Sequence, residues 1–278
     1  MTDYAHVLID YPPQCRPRYG TGTGSPGPHE RIAAILRTNA QEQIDVAREI
    51  AARAEDFRSI PFSVPNDDHT GPIWNQPWFP PYDGMALATL LARHNPARYL
   101  EIGSGNSTRF ARWATETYGL RTHITSIDPE PRAEIDALCD HVERAPLEAC
   151  DLAIFGKLEA GDLLFFDGSH RSFMNSDVTV FFMEVLPELP PGVIVGMHDV
   201  FWPDDYPEAW NNRYYNEQYM LGVHILALGP RFQAVFPCTG VPGEAHALIQ
   251  EALGEAFWNS CEYPGGGSMW WRTHNPSI

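Results

Sequence analysis

Between residues 98 and 199 the chain alternates short, unbroken apolar runs with stretches whose apolar residues recur every three or four positions. The runs at 98–102, 123–127, 162–166 and 192–197 read as buried strands. Residues 108–118, 132–140 and 177–186 read as helices between them. A further helix is expected at 217–226, and final strands at 232–236 and 268–272. Strands that are apolar on both faces need helices on both sides. The pattern therefore predicts an α/β fold, Rossmann-like and doubly wound, with a mainly parallel seven-stranded sheet.

Upstream, Ile32, Ile35, Leu36, Ile44, Val46, Ile50 and Ala51 give residues 29–57 helical periodicity. Residues 59–83 are rich in turn formers and aromatics, and read as a connector packed through Trp74, Trp78 and Phe79. Asp83 is placed to cap a helix that Asn95-Pro96 ends. Residues 1–29 are rich in Pro, Gly and Tyr and predict irregular structure. The chain thus divides into an N-terminal arm and helix, 1–70, serving as substrate lid or subunit contact in a homo-oligomer, and a main unit, 71–278.

Three strands end alike. Their apolar runs stop at Asp128, Asp167 and His198-Asp199. Ligands of open α/β sheets bind beyond the carboxyl ends of the strands, so these side chains are expected on one rim, facing one crevice. The first strand runs into YLEIGSGNST, where Gly103 and Gly105 permit a tight turn ahead of a helix. Asp128 follows 23 positions after Gly105, where a carboxylate can accept both ribose hydroxyls of an adenosine. The third glycine of a dinucleotide loop is replaced by Thr108, and Glu101 lies two residues before Gly103. A carboxylate there suits the cationic methionine part of a methyl donor better than a diphosphate. A nicotinamide or flavin site, and a bare strand-to-helix turn, are the competing readings.

Asp167 and His170 in GDLLFFDGSHRSFMNSD, with His198 and Asp199 in GMHDVFWPDDYP, make a second constellation. Asp167, His198 and Asp199 could hold Mg²⁺, or else Mn²⁺ or Fe²⁺, and lower the pKa of a bound hydroxyl. His170 would then take the proton. Two histidines with one Asp would instead resemble a two-His-one-carboxylate iron site. The bland readings are a capping Asp and loop histidines. Trp74, Trp78, Trp202 and Trp210 could stack on a substrate ring, residues 204–220 could form a flap, and Arg16, Arg18 and Tyr19 could meet an anionic group. Residues 140–148 could contact adenine.

Composition narrows the classes. Apolar residues make up 44%, enough for a sizeable core, and the net charge of −17 repels phosphate backbones and anionic lipid. Nucleic acid and membranes are not expected partners. Five scattered cysteines without a CxxC pair read as reduced thiols of a cytoplasmic protein, and no signal peptide or apolar span is evident.

YLEIGSGNSTRFARWA, ITSIDPEPRAEID, GDLLFFDGSHRSFMNSD and GMHDVFWPDDYP resemble class I S-adenosylmethionine-dependent methyltransferases of the methyltransferase-24 type. These are similar to metal-dependent O-methyltransferases acting on sugar or catechol-like hydroxyls. The resemblance covers roughly residues 70–272. It implies S-adenosylmethionine held by Glu101, Gly103, Ser104, Gly105, Ser107, Asp128 and Asp167. It also implies a divalent metal on Asp167, His198 and Asp199, and His170 with Asp167 as catalytic groups. Family members usually carry a carboxylate where His198 stands. The expected reaction is methylation of a small-molecule or glycan hydroxyl. A metal-independent N- or C-methyltransferase and a non-catalytic S-adenosylmethionine-binding scaffold are the alternatives.

Overall fold

The computed structural model describes residues 16–20, 25–65, 70–131 and 134–274. The expected apolar runs form strands β1 (Arg98–Ile102), β2 (His123–Ile127), β4 (Leu163–Phe166), β5 (Ile194–Met197), β6 (Gln233–Pro237) and β7 (Met269–Arg272). A seventh strand, β3 (His141–Glu143), was not legible as apolar: it is a three-residue edge strand with no fully buried residue. The sheet order is β3-β2-β1-β4-β5-β7-β6. The first five strands are parallel, and β7 runs antiparallel to both β5 and β6. The fold is the mainly parallel, doubly wound sheet that the pattern predicts.

Alternation along the strands sorts the core into two layers. Tyr99, Leu163, Phe165, Ile194 and Trp270 face one way. They meet helices α2 (Ala40–Ala52), α3 (Ala54–Ser59), α4 (Pro81–His94), α5 (Asn106–Thr117), α8 (Gly243–Leu253) and α9 (Glu255–Ser260). Leu100, Leu164, Phe166, Val195 and Trp271 face the other way. There they meet α1 (Glu30–Leu36), α6 (Asp177–Val180, continued by a π turn) and α7 (Glu217–Leu228). Eleven residues of α4, Pro81 to Leu91, are buried, because it lies between the sheet and both α2 and α5.

Three expectations need correction. The helix expected at 132–140 is a single 3-10 turn, Asp136–Leu138, running straight into β3, and residues 132 and 133 lie outside the described set. The periodicity at 29–57 is three helices rather than one, broken at Arg37–Asn39 and Arg53. Asp83 is no helix cap: Pro80 holds that place, and the Asp83 carboxylate points elsewhere. Residues 1–15, 21–24 and 275–278, with Cys15, lie outside the described residues.

Topology places the functional rim. The chain leaves β1 outward to β2 and β3, then returns to the other flank of β1 as β4. That reversal opens a crevice at the carboxyl ends of β1 and β4. Helices that precede parallel strands begin on the same rim, so the first turns of α4 and α7 arrive there. The antiparallel β7 starts there too, with Met269 opposite Met197 at the end of β5.

Candidate functional site

The turn after β1 is held by its backbone. Gly103 has φ +78°, and a Cβ on it would lie 1.8 Å from the Asp167 carbonyl oxygen. Only glycine lets the β1 turn lie against the end of β4. The Ser104 N–H donates to Asp128 Oδ2 (2.7 Å), and the Glu130 N–H donates to Oδ1 (2.8 Å). Asp128 thus clamps the turn from the end of β2. A groove of about 380 Å³ opens beside it, lined by Gly103, Ser104, Asp128, Leu147, Asp167 and His170 among others. The expected contact from 140–148 narrows to Pro146, Leu147 and Glu148; Asp140 instead accepts from the Ile124 N–H and from Arg112.

Glu101, Gly105 and Ser107 do not line this groove. Glu101 is fully buried and accepts from the hydroxyls of Tyr99 (2.9 Å), Ser107 (3.0 Å) and Thr108. Burial pushes its carboxyl up to about 7, against those hydrogen bonds and with Asp128 adding to the rise. Its geometry is that of a brace pinning α5 to β1, rather than of a direct ligand contact. Gly105 donates its N–H to Thr108 Oγ1 (3.0 Å), starting α5. A strand carboxylate two residues before a glycine turn looks the same in sequence whether it faces the ligand or the helix.

At the ends of β4 and β5, six titratable groups meet. His170 Nε2 lies 3.5 Å from both Asp167 Oδ1 and Asp199 Oδ2, and its Nδ1 bonds Glu217. His198 Nδ1 lies 3.3 Å from Asp199 and 3.5 Å from Asp167, while its Nε2 faces Asp83 at 3.3 Å. Asp83 also accepts from the Gly267 N–H (2.8 Å), the Ser268 N–H (2.8 Å) and the Ser268 hydroxyl (2.6 Å). His170 and Asp199 both take positive φ, 63° and 54°. Such backbone is uncommon outside glycine and clusters at functional sites. Burial would lower the His170 imidazole, but Glu217 first, then Asp167 and Asp199, hold it up at about 9. Asp167 and Asp199 likewise raise His198, against burial.

The structure brings Asp167, His170, His198 and Asp199 together and adds Asp83 and Glu217, which the sequence reading did not assign to the site. Both added groups sit in the first turn of a helix, where an acidic residue is ordinary. The outer ring nitrogens of both imidazoles meet carboxylates, His170 Nδ1 with Glu217 and His198 Nε2 with Asp83, while the inner nitrogens face Asp167 and Asp199. Among the described residues no group of three or more His, Cys, Asp or Glu is arranged to hold a metal ion, so neither the divalent metal nor the two-His-one-carboxylate arrangement is shown.

A second cavity, of about 410 Å³, opens on the other side of Asp167 and His170. Trp78, Phe201, Trp210, Tyr215 and Tyr263 wall it, and His198, Asp199 and Arg213 also line it. Trp78 is therefore a cavity residue, 56% exposed, and not part of the packed connector with Trp74 and Phe79. Trp74 and Trp202 are buried in the core. Arg18 and Tyr19 donate their backbone N–H groups to Asp205 (2.6 and 3.2 Å), and Arg16, Arg18 and Tyr19 line neither cavity.

The segment carrying these strand ends also matches a known family: residues 100–200 fit the family model described as a methyltransferase domain. This stretch is similar to methyltransferase domains. It spans β1 to the end of β5 and so contains the Gly103 turn, Asp128, Asp167, His170, His198 and Asp199. No curated protein sequence matches the chain. Solved methyltransferase structures do. An O-methyltransferase from Bacillus cereus in complex with SAH is 17% identical, with 82% of this chain and 90% of that one covered, at a TM-score of 0.42. SAH-bound Podospora anserina methyltransferase PaMTH1 is 17% identical, with 69% and 78% covered, at 0.39. The plantazolicin methyltransferase BpumL, in complex with a monoazolic desmethylPZN analog and SAH, is 12% identical, with 88% and 98% covered, at 0.43. At these scores the fold rests on the strand order above and not on the superpositions. Among the described residues no helix is long and apolar enough to cross a membrane.

The buried His170–Glu217 pair sets a pH response. A histidine raised from 6.5 to about 9 contributes stability that is fully present below 6.5 and is lost as pH rises through about 9. The melting temperature is expected to fall by several degrees across that window, and this part of the fall is expected to vanish in His170→Gln. Calorimetric melts of both proteins from pH 6 to 10 check it; parallel curves would disprove it.

Proposed function

We propose that the chain transfers a methyl group from S-adenosylmethionine to a hydroxyl of a small molecule. One observation carries the reading: the groove beside Asp128 and the aromatic-walled cavity share Asp167 and His170 in their linings. A donor in one and an acceptor in the other meet at those two side chains. The groove suits the cofactor: Asp128, which lines it, offers two carboxylate oxygens to a ribose. S-adenosylmethionine, when bound, supplies the methyl group on a sulfonium.

Gly103, Ser104, Asp128 and Asp167 hold the donor in this scheme. Glu101, Gly105 and Ser107 act through the shape of the turn. Asp167 and Asp199 orient the acceptor hydroxyl, and His170 accepts its proton through Nε2. His170 is protonated near neutrality on its own, but a like charge arriving in the adjoining groove favours its neutral form. Glu217 keeps the other ring nitrogen occupied, so that Nε2 faces the cavity. Oxygen, carbon and sulfur must lie in line, which makes positioning as important as proton removal. His198, between Asp83 and the Asp167–Asp199 pair, holds those carboxylates in place. Every residue lining either cavity falls within 71–278, which supports assigning the transferase unit to that span.

Titration calorimetry with S-adenosylmethionine and its demethylated product, followed by a labelled-methyl assay on hydroxylated ring compounds with and without EDTA, tests the reading. Binding of both ligands and transfer to oxygen are expected. Failure to bind either cofactor form would overturn the reading. Binding without transfer would leave a scaffold. Loss of activity on chelation, restored by Mg²⁺, would add a metal to the scheme.

A further inference from the structure

We propose that the aromatic-walled cavity selects acceptors whose hydroxylated ring carries an acidic group, and that Arg213 is the residue that reads it. The cavity, about 410 Å³, has room for one or two rings. Its chemistry is polarised. One part carries Asp167, Asp199, His170 and His198, where a hydroxyl can be oriented. Arg213 is its one Lys or Arg lining residue. The Arg213 guanidinium lies 3.8 Å over the Trp210 ring and 5.5 Å from Tyr215. Among the described residues it makes no ion pair. In a chain with 36 acidic and 19 basic residues, a cation at a pocket wall without a carboxylate partner is conspicuous.

The segment is also held in place. The Arg171 Nε–H donates to the Arg213 carbonyl (3.0 Å), and the Arg171 guanidinium lies 4.9 Å over Tyr215. Tyr215 in turn stacks on His170, with ring centroids 4.4 Å apart. The cation is therefore tied through its neighbours to the reacting end of the pocket. A guanidinium over an indole face can still bind a planar carboxylate with two parallel hydrogen bonds. An anionic acceptor would be repelled by Asp167 and Asp199 unless its acid pointed away from them. The charge pattern thus fixes one orientation, acid toward Arg213 and hydroxyl toward His170. Aryl acids and uronic acids share this chemistry.

The inference rests on the methyl-transfer reading only for which group is modified; recognition is tested by binding. The full chain, saturated with SAH, is titrated with 3,4-dihydroxybenzoate, catechol, glucuronate and glucose, following tryptophan fluorescence and heat. At least one acid is expected to bind about tenfold or more tighter than its neutral counterpart. Arg213→Ala is expected to erase that preference while SAH affinity, melting temperature and neutral-ring binding stay as they were. Arg213→Lys is expected to restore part of it. Neutral rings binding as tightly as acids, an acid preference that survives Arg213→Ala, or no binding of either acid overturns the proposal. Arg213-dependent acid binding in a protein that takes no SAH would instead overturn the methyl-transfer reading alone.

Discussion

Asp167→Ala is expected to lower methyl transfer by roughly a thousandfold, with the melting temperature within a few degrees of wild type. The size follows from what the carboxylate touches. It lies between His170 Nε2 and His198 Nδ1, 3.5 Å from each, and lines both cavities. Without it the two imidazoles lose one of the two anions they share, Asp199 being the other. The acceptor hydroxyl loses an orienting group, and the His170 imidazole loses one of the charges that raise it. The fold has little to lose, because the main chain at 167 is held by its own bond to the Ile102 carbonyl (2.8 Å). Single-turnover transfer from labelled cofactor, run beside a calorimetric melt, reads both quantities. Wild-type turnover in the variant would sink the scheme in which donor and acceptor meet at this residue.

Asp128→Ala carries the second largest effect, on affinity rather than turnover. Two charge-assisted hydrogen bonds to ribose hydroxyls are each worth about 1.5–3 kcal/mol, so cofactor affinity is expected to fall by two orders of magnitude or more. The Ser104 and Glu130 N–H groups would lose their acceptor in the same change, loosening the turn. Asp128→Asn keeps one acceptor oxygen and is expected to fall between the two. Titration with SAH measures the series. Equal affinity in all three proteins would remove Asp128 from the donor site.

The sheet was legible because its central strands are apolar on both faces, which leaves little else for runs such as LLFF to become. The rim was legible for the same reason: the runs of β2, β4 and β5 stop at an acid or histidine, and these strands are parallel to β1. Asp83 and Glu217 were not, because their distance from the other site residues in sequence is bridged only by topology. Nothing in PPYDG or NEQYM distinguishes a buried site carboxylate from an ordinary helix-start acid. The hydroxyl partners of Glu101 were not legible either: only the fold brings Tyr99, Ser107 and Thr108 around that carboxylate. The missing helix at 132–140 reflects a compact crossing between β2 and β3, for which a single 3-10 turn suffices.

The two cavities draw on different lengths of sequence. Among the described residues 102–177 line the groove beside Asp128, whereas 77–80, 201–215 and 263–267 line the aromatic-walled cavity around the shared polar floor. Under the proposed reaction, acceptor choice follows the outer stretches and donor binding the inner one. Chimeras exchanging only those outer stretches are the natural way to graft one relative's appetite onto another's engine.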